Sequence, residues 1–197
     1  MPKPGRNARA LVSGNPIRTT HVLFPICRKE LFLDLEGTGA QAADDGLVEM
    51  AYLIGARVRK DGTENYVSFV APSKDPEGER AMFLAFLAWY DDQEDPLLYH
   101  WSHYEKTHLR RLATRHGISA TQEARVFGRL RDLLEDATKS FAFPTHGASI
   151  KKIAPWLGFH WRHKDVNAMA SIALYFQYAQ NPSANADKLQ KVLDYNE

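Results

Sequence analysis

From Leu31 to Glu36 every second residue is leucine, and the residues between them turn polar at Asp34 and Glu36. Leu31, Leu33 and Leu35 share one side, and Phe32, Asp34 and Glu36 share the other. A period of two is that of a strand with one buried face, so the pattern predicts a strand over residues 30–36. The long apolar run over 47–58 predicts a second strand. Lys60-Asp61-Gly62 carries the chemistry of a tight hairpin turn, and residues 65–71 return as a third strand. At Pro76 the period changes. Met82, Phe83, Phe86, Leu87 and Trp89-Tyr90 recur at helical spacing behind two acids, Glu77 and Glu79, that suit the positive end of a helix dipole. Residues 76–89 are therefore expected as a helix packed on the sheet. Residues 97–101 form a short apolar fourth strand, followed by a helix over 103–116 that stops at Gly117. A helix between the third and fourth strands is a crossover, which makes the sheet mixed α/β: an antiparallel meander plus parallel strands, flanked by helices.

Beyond Gln122 the pattern is helical. It covers about 125–140, 147–157, 167–179 and 184–195, punctuated by Pro144, Gly158 and Pro182. At the other end, residues 1–20 are rich in Pro, Gly, Arg and Asn and read as an arm. Residues 21–26 read as an edge strand that ends at Pro25, and Asp44-Asp45-Gly46 as a turn. The expected organisation is a basic arm or linker over 1–28 and one domain over 29–197.

Composition adds little to this and excludes more. The chain has 197 residues, 44% of them apolar, enough for one domain with a core. Net charge is +1 and names no partner. Its distribution is uneven: residues 1–30 carry six basic and one acidic side chain, residues 75–95 one basic and seven acidic, residues 101–165 twelve basic and six acidic. A basic half beside an acidic strand suits an enzyme acting on a polyanion, and solvated helix faces give the same count. The single cysteine, Cys27, excludes an internal disulfide and a Cys-based zinc site. His100/His103 and His160/His163 are i, i+3 pairs without a second cluster of zinc spacing, and read as structural or solvent-facing. No apolar run is long enough to span a membrane. The basic N-terminus lacks the apolar segment of a signal peptide, so the cytoplasm is the expected compartment.

The chemistry starts on the polar side of the first strand. Asp34 and Glu36 point the same way, and two like charges that close raise each other's pKa unless a cation lies between them. Hard oxygen donors suit Mg²⁺ or Mn²⁺. An acidic solvent face is the plain alternative, and Gly37-Thr38-Gly39 favours the metal by letting a ligand approach the backbone. Glu105 is the second candidate. It lies in the first helical turn after the fourth strand, and would face Asp34 and Glu36 if that strand neighbours the first. Ser102-x-x-Glu105 also reads as a capping box, in which Glu105 merely starts the helix.

Four stretches then resemble one known group. An Asp-x-Glu strand, a crossover helix, a strand-to-helix acid and a helical tail are similar to the ribonuclease-H-like fold, and within it to the DEDD-type (DnaQ-like) 3′–5′ exonucleases. The nearest likeness is to the ribonuclease-H-like domain of RecB-family nucleases. It rests on Asp34-Leu-Glu36-Gly37, on Tyr99-His100-Trp-Ser-His-Tyr104-Glu105, on Asp132-Leu133, and on Ser149-Ile-Lys151-Lys-Ile-Ala154-Pro-Trp-Leu157-Gly158-Phe159. It runs from about residue 30 to the end of the chain. Two departures stand out. Most DEDD enzymes have Asp where this chain has Glu105. The last motif, Tyr-x-x-x-Asp, would start at Tyr195 and place its Asp two residues past Glu197, which implies a longer parent protein or a missing fourth ligand.

The resemblance implies a metal-dependent nuclease, a 3′–5′ exonuclease on single-stranded DNA or RNA, using two Mg²⁺ or Mn²⁺ ions held by Asp34, Glu36 and Glu105, with Tyr195 orienting the attacking water. It implies that Asp132 opens a helix near the site as a supporting residue, and that further nuclease or helicase domains are partners in the same polypeptide. Lys151 and Lys152 are candidate phosphate contacts or a solvated pair, and Thr38 and His103 are further candidates for touching nucleic acid. Two other functions stay open: a catalytically incomplete nucleic-acid-binding or scaffold module, and an endonuclease of ribonuclease-H type.

Overall fold

The alternating stretch becomes the central strand of a five-stranded sheet. The computed structural model describes residues 5–21, 27–39, 49–162 and 166–197. Its elements begin with α1 (Arg6–Ser13), β1 (Ile17–Arg18), β2 (Lys29–Gly37), β3 (Ala51–Lys60), β4 (Thr63–Val70), α2 (Pro76–Asp91) and β5 (Leu97–His100). They continue with α3 (Tyr104–His116), α4 (Ala120–Arg129), β6 (Leu130–Asp132), α5 (Leu133–Ser140), β7 (Phe141–Ala142), α6 (Ile150–Trp156), α7 (Ala168–Gln180) and α8 (Ala186–Asn196). They fall into two compact units: Cys27–Arg131 with Trp161–Glu197, and Met1–Ile26 with Asp132–His160.

In the larger unit the strand order is β4-β3-β2-β5-β6. β2, β3 and β4 form the expected antiparallel meander. Asp61 (φ 48°) and Gly62 (φ 81°) make its two-residue turn, a geometry that needs positive φ at both positions. β5 lies parallel to β2 on the other side, with Phe32 opposite Tyr99. Two parallel strands end at the same edge of a sheet, so the residues that follow His100 emerge where β2 ends. Leu31, Leu33 and Leu35 are buried in one core with Ile54, Ala56, Val58 and Leu98, and with Met82, Phe83, Phe86 and Leu87 of α2. Asp75 caps α2 by accepting from the Gly78 amide at 2.8 Å. α7 is drawn onto the sheet by Tyr175, whose ring stacks on Tyr52 at 4.5 Å and whose hydroxyl donates to the carbonyls of Ala71 and Ser73.

Two expectations change. The single helix expected over 125–140 is α4, β6 and α5. A Ser119–Gln122 capping box starts α4, and Asp132 starts α5. Three residues of strand are too few for a period of two to declare itself between helices. The expected arm over 1–28 contains α1, in which Ala10 is fully buried, and β1, which pairs antiparallel with β7. These belong with residues of the region 132–160 in the smaller unit. The expected edge strand beyond His21, the turn at 44–46 and the first two residues of the second strand lie outside the described residues. No helix among the described residues is long and apolar enough to cross a membrane.

Candidate functional site

Asp34 and Glu36 stand on the same face of β2, opposite Gly55 and Leu53 of β3. Asp34 is exposed and Glu36 half-buried. The pairing slips between Glu36 and Gly37, a bulge that bends the strand where the acids sit. Thr38 closes the bend. Its amide donates to the Met50 carbonyl at 2.9 Å, and its hydroxyl accepts from the Met50 amide at 3.0 Å. With 4% of its surface exposed, Thr38 places its hydroxyl in this joint, whereas the sequence put it forward as a contact for nucleic acid.

Glu105 is 5% exposed, in the first turn of α3, at the sheet edge that the parallel β2–β5 pair shares. The capping box read from Ser102 and Glu105 is not what starts this helix. His103 takes the N-cap position without a side-chain cap bond, and Ser102 precedes it with φ 76°, in the left-handed region that few L-residues adopt. His100, also buried, lies with Nδ1 3.8 Å from the Glu105 carboxylate and is hydrogen-bonded to the Ser102 carbonyl. His103 is exposed, its Nδ1 3.1 Å from the Ser102 hydroxyl.

The charges of the acids reach several phenols. A Cβ on Gly37 would lie 3.3 Å from the Tyr104 hydroxyl, so that phenol sits against the end of β2. Burial, then the charges of Glu36, Asp34 and Glu105, push its pKa up to about 12. Burial, Glu36 and Asp34 push Tyr195, on α8, up to about 12 as well. Tyr66 is raised by burial and then by Asp34, and Tyr52 by burial and then by Glu36. Asn196 completes the surround, donating from Nδ2 to Asp34 Oδ2 at 3.1 Å. Sequence reasoning passed over both Tyr104 and Asn196. The signal for Tyr104 lay in its place beside Glu105. The signal for Asn196 lay in Gly55, a glycine inside a strand, which marks a close approach.

The donor chemistry fits a divalent cation. Asp34 and Glu36 offer adjacent hard oxygens, and after burial their charges are what raise the pKa of Tyr104 and Tyr195. Among the described residues, no three His, Cys, Asp or Glu side chains stand close enough together to enclose an ion. The β2 pair is thus the nucleus of a possible site.

The remaining candidates lie in the smaller unit. Asp132 is the N-cap of α5, accepting from the amides of Leu134 (2.9 Å) and Glu135 (3.4 Å). Lys151 and Lys152 begin α6. Both are exposed, and Lys152 Nζ donates to the His146 carbonyl. His163 is outside the described residues.

A family model described as the RNase H superfamily matches residues 31–197. Among solved structures, the chain is similar to the family B DNA polymerase from the hyperthermophilic archaeon Pyrobaculum calidifontis, with a TM-score of 0.55 and 16% identity over 89% of this chain and 24% of that one. The chain thus spans about a quarter of the polymerase's length, and at this identity the likeness is one of fold. No curated protein matches. The match takes in the whole sheet, its crossover helix and α8, and the chain belongs to the RNase H superfamily.

Proposed function

We propose that this chain is a metal-dependent nuclease, a 3′–5′ exonuclease that hydrolyses phosphodiester bonds of single-stranded DNA or RNA as part of a larger nuclease or helicase polypeptide. The observation that carries the reading is the Asp34–Glu36 pair, side by side on the central strand, with the Asn196 amide donating to Asp34. Asp34, Glu36 and Glu105 would hold Mg²⁺ or Mn²⁺, two ions in this reading, which when bound supply an activated water and stabilise the leaving oxygen. Tyr195 holds its proton far above neutral pH, so it orients a water by donating a hydrogen bond and does not act as the base. Tyr104, also protonated, would donate to a phosphate oxygen near Gly37. His103, Lys151 and Lys152 would contact the sugar–phosphate backbone, which positions a strand without reading its sequence.

A second reading has an observation behind it. With no three acids close enough to enclose an ion among the described residues, the chain would be a nucleic-acid-binding module with an incomplete site. A gel assay with end-labelled single strands, duplexes and hybrids plus Mn²⁺ separates the two. The exonuclease gives a ladder shortening from the 3′ end of single strands, and Asp34→Asn abolishes it. Binding without cutting at any Mn²⁺ concentration supports the module, and internal cuts in a hybrid support an endonuclease.

A further inference from the structure

Asn196, the last residue of α8, is 8% exposed and reaches the middle of the sheet. Its Nδ2 donates to Asp34 Oδ2 at 3.1 Å and lies 3.4 Å from the Asp34 carbonyl. Its Oδ1 accepts from the Tyr66 hydroxyl at 2.7 Å. Chemistry fixes the amide's direction. An ionised carboxylate only accepts, so the NH₂ must face Asp34 and the oxygen must face the phenol. Reversal would set two oxygens against each other.

The space for this contact is written into β3. Gly55 is the cross-strand partner of Asp34. A Cβ there would fall 1.8 Å from Asn196 Oδ1 and 2.7 Å from the Tyr66 hydroxyl, so a side chain at 55 would push the Asn196 amide out of this position. Glu197 anchors the same helix end, accepting from Arg57 and from Arg162 at 2.8 Å each. Gly55, Tyr66 and the two arginines thus converge on one outcome: an amide held against the Asp34 carboxylate.

We propose that Asn196 is a positioning residue for Asp34, its amide fixing the direction of the carboxylate that, on the nuclease reading on which this rests, holds the divalent ion. Ordering a carboxylate only when an ion arrives costs affinity. A neighbour that orders it beforehand removes that cost, as partners behind metal ligands generally do. An amide does this without metal. A carboxylate at the same place would repel Asp34 until a cation came between them.

The test uses the full chain and two readouts. In ¹⁵N NMR, one Asn196 side-chain amide proton should be shifted downfield, and Asp34→Ala and Gly55→Ala should each remove the shift. By calorimetry, Asn196→Ala should bind Mn²⁺ about tenfold more weakly, Tyr66→Phe less weakly, and the double variant no worse than Asn196→Ala alone, because both break one contact. Tyr66→Phe is mild enough to keep the test alive if Asn196→Ala folds poorly. Asn196→Asp should melt lower than wild type without Mn²⁺ and gain more from it. An unshifted amide overturns the contact. A shifted amide with wild-type Mn²⁺ affinity in both Asn196→Ala and Tyr66→Phe overturns the positioning role and leaves the nuclease reading intact. A wild type that binds no Mn²⁺ overturns the nuclease reading and this role with it.

Discussion

Two carboxylate groupings in the larger unit are built in opposite ways. Glu79, on α2, is 1% exposed. It accepts from the Ala51 amide at 2.6 Å, from Arg115 at 2.6 Å and lies 2.7 Å from His116 Nε2. One carboxylate thereby ties the first residue of β3 to α2 and to the last turn of α3. Asp34 and Glu36 sit side by side on β2; their charges raise the pKa of Tyr104 and Tyr195 after burial does, and Asp34 accepts from the Asn196 amide. A neutral amide steers the Asp34 carboxylate without cancelling its charge, whereas Arg115 offsets the charge on Glu79 directly. A carboxylate's role is therefore read from what faces it. Glu105 shows why burial is the wrong guide: it is nearly as buried as Glu79, yet it shares its edge of the sheet with the acidic pair.

The comparison breaks most readily at its catalytic side. Asp34→Asn should cost several kcal/mol of transition-state stabilisation, on the order of a thousandfold in single-turnover cleavage. Its melting temperature should stay within a few degrees of wild type, because the substitution relieves a like-charge contact with Glu36. A variant that cuts at wild-type rate would make the pair an ordinary acidic face. The structural side predicts the reverse pattern. Glu79→Ala strips the Ala51 amide, Arg115 and His116 of a shared partner, and should cost about 3 kcal/mol of stability. For a chain of this size that is roughly 6–12 °C in melting temperature. Cleavage measured well below the melt should be within a few-fold of wild type. If Glu79→Ala melts like wild type, the two groupings do not differ in kind.

How much of this could be read from the chain depends on the sequence distance of each partner. β2 was legible because an alternating strand states its two faces locally, and α2 and α3 were legible because helical spacing and Gly117 do the same. Asp34 and Glu36 came with the strand. Glu79 looked like a first-turn acid suited to a helix dipole, because its partners Ala51, Arg115 and His116 lie 28, 36 and 37 residues away. Asn196 meets Asp34 across 162 residues, and only the bare glycine at 55 hinted that something approached. β6 was missed for a different reason: three residues between two helices carry no period to read.

The smallest effect is also the one that reads the acidic pair's field directly. An unfolded tyrosine titrates near pH 10, whereas Tyr104 and Tyr195 in the folded chain titrate up to about 12, first through burial and then through Glu36 and Asp34. The folded state therefore holds these protons more tightly. Their stabilising contribution is fully present below pH 10 and is lost as pH rises from 10 through 12. Neutralising Glu36 removes the charge that, after burial, does most to raise both phenols. Glu36→Gln should then lower both folded values toward 10, narrow the gap and flatten the alkaline fall in melting temperature by a small margin. Glu79 is bound instead to Ala51, Arg115 and His116, so Glu79→Gln should start from a lower melting temperature yet fall with the wild-type slope between about pH 9 and 11.5. Melting curves of the three proteins across that window decide it. Parallel slopes for wild type and Glu36→Gln would mean that burial alone raises the phenols and that the acidic pair does not reach them, which would separate Tyr195 from the acids it is proposed to serve.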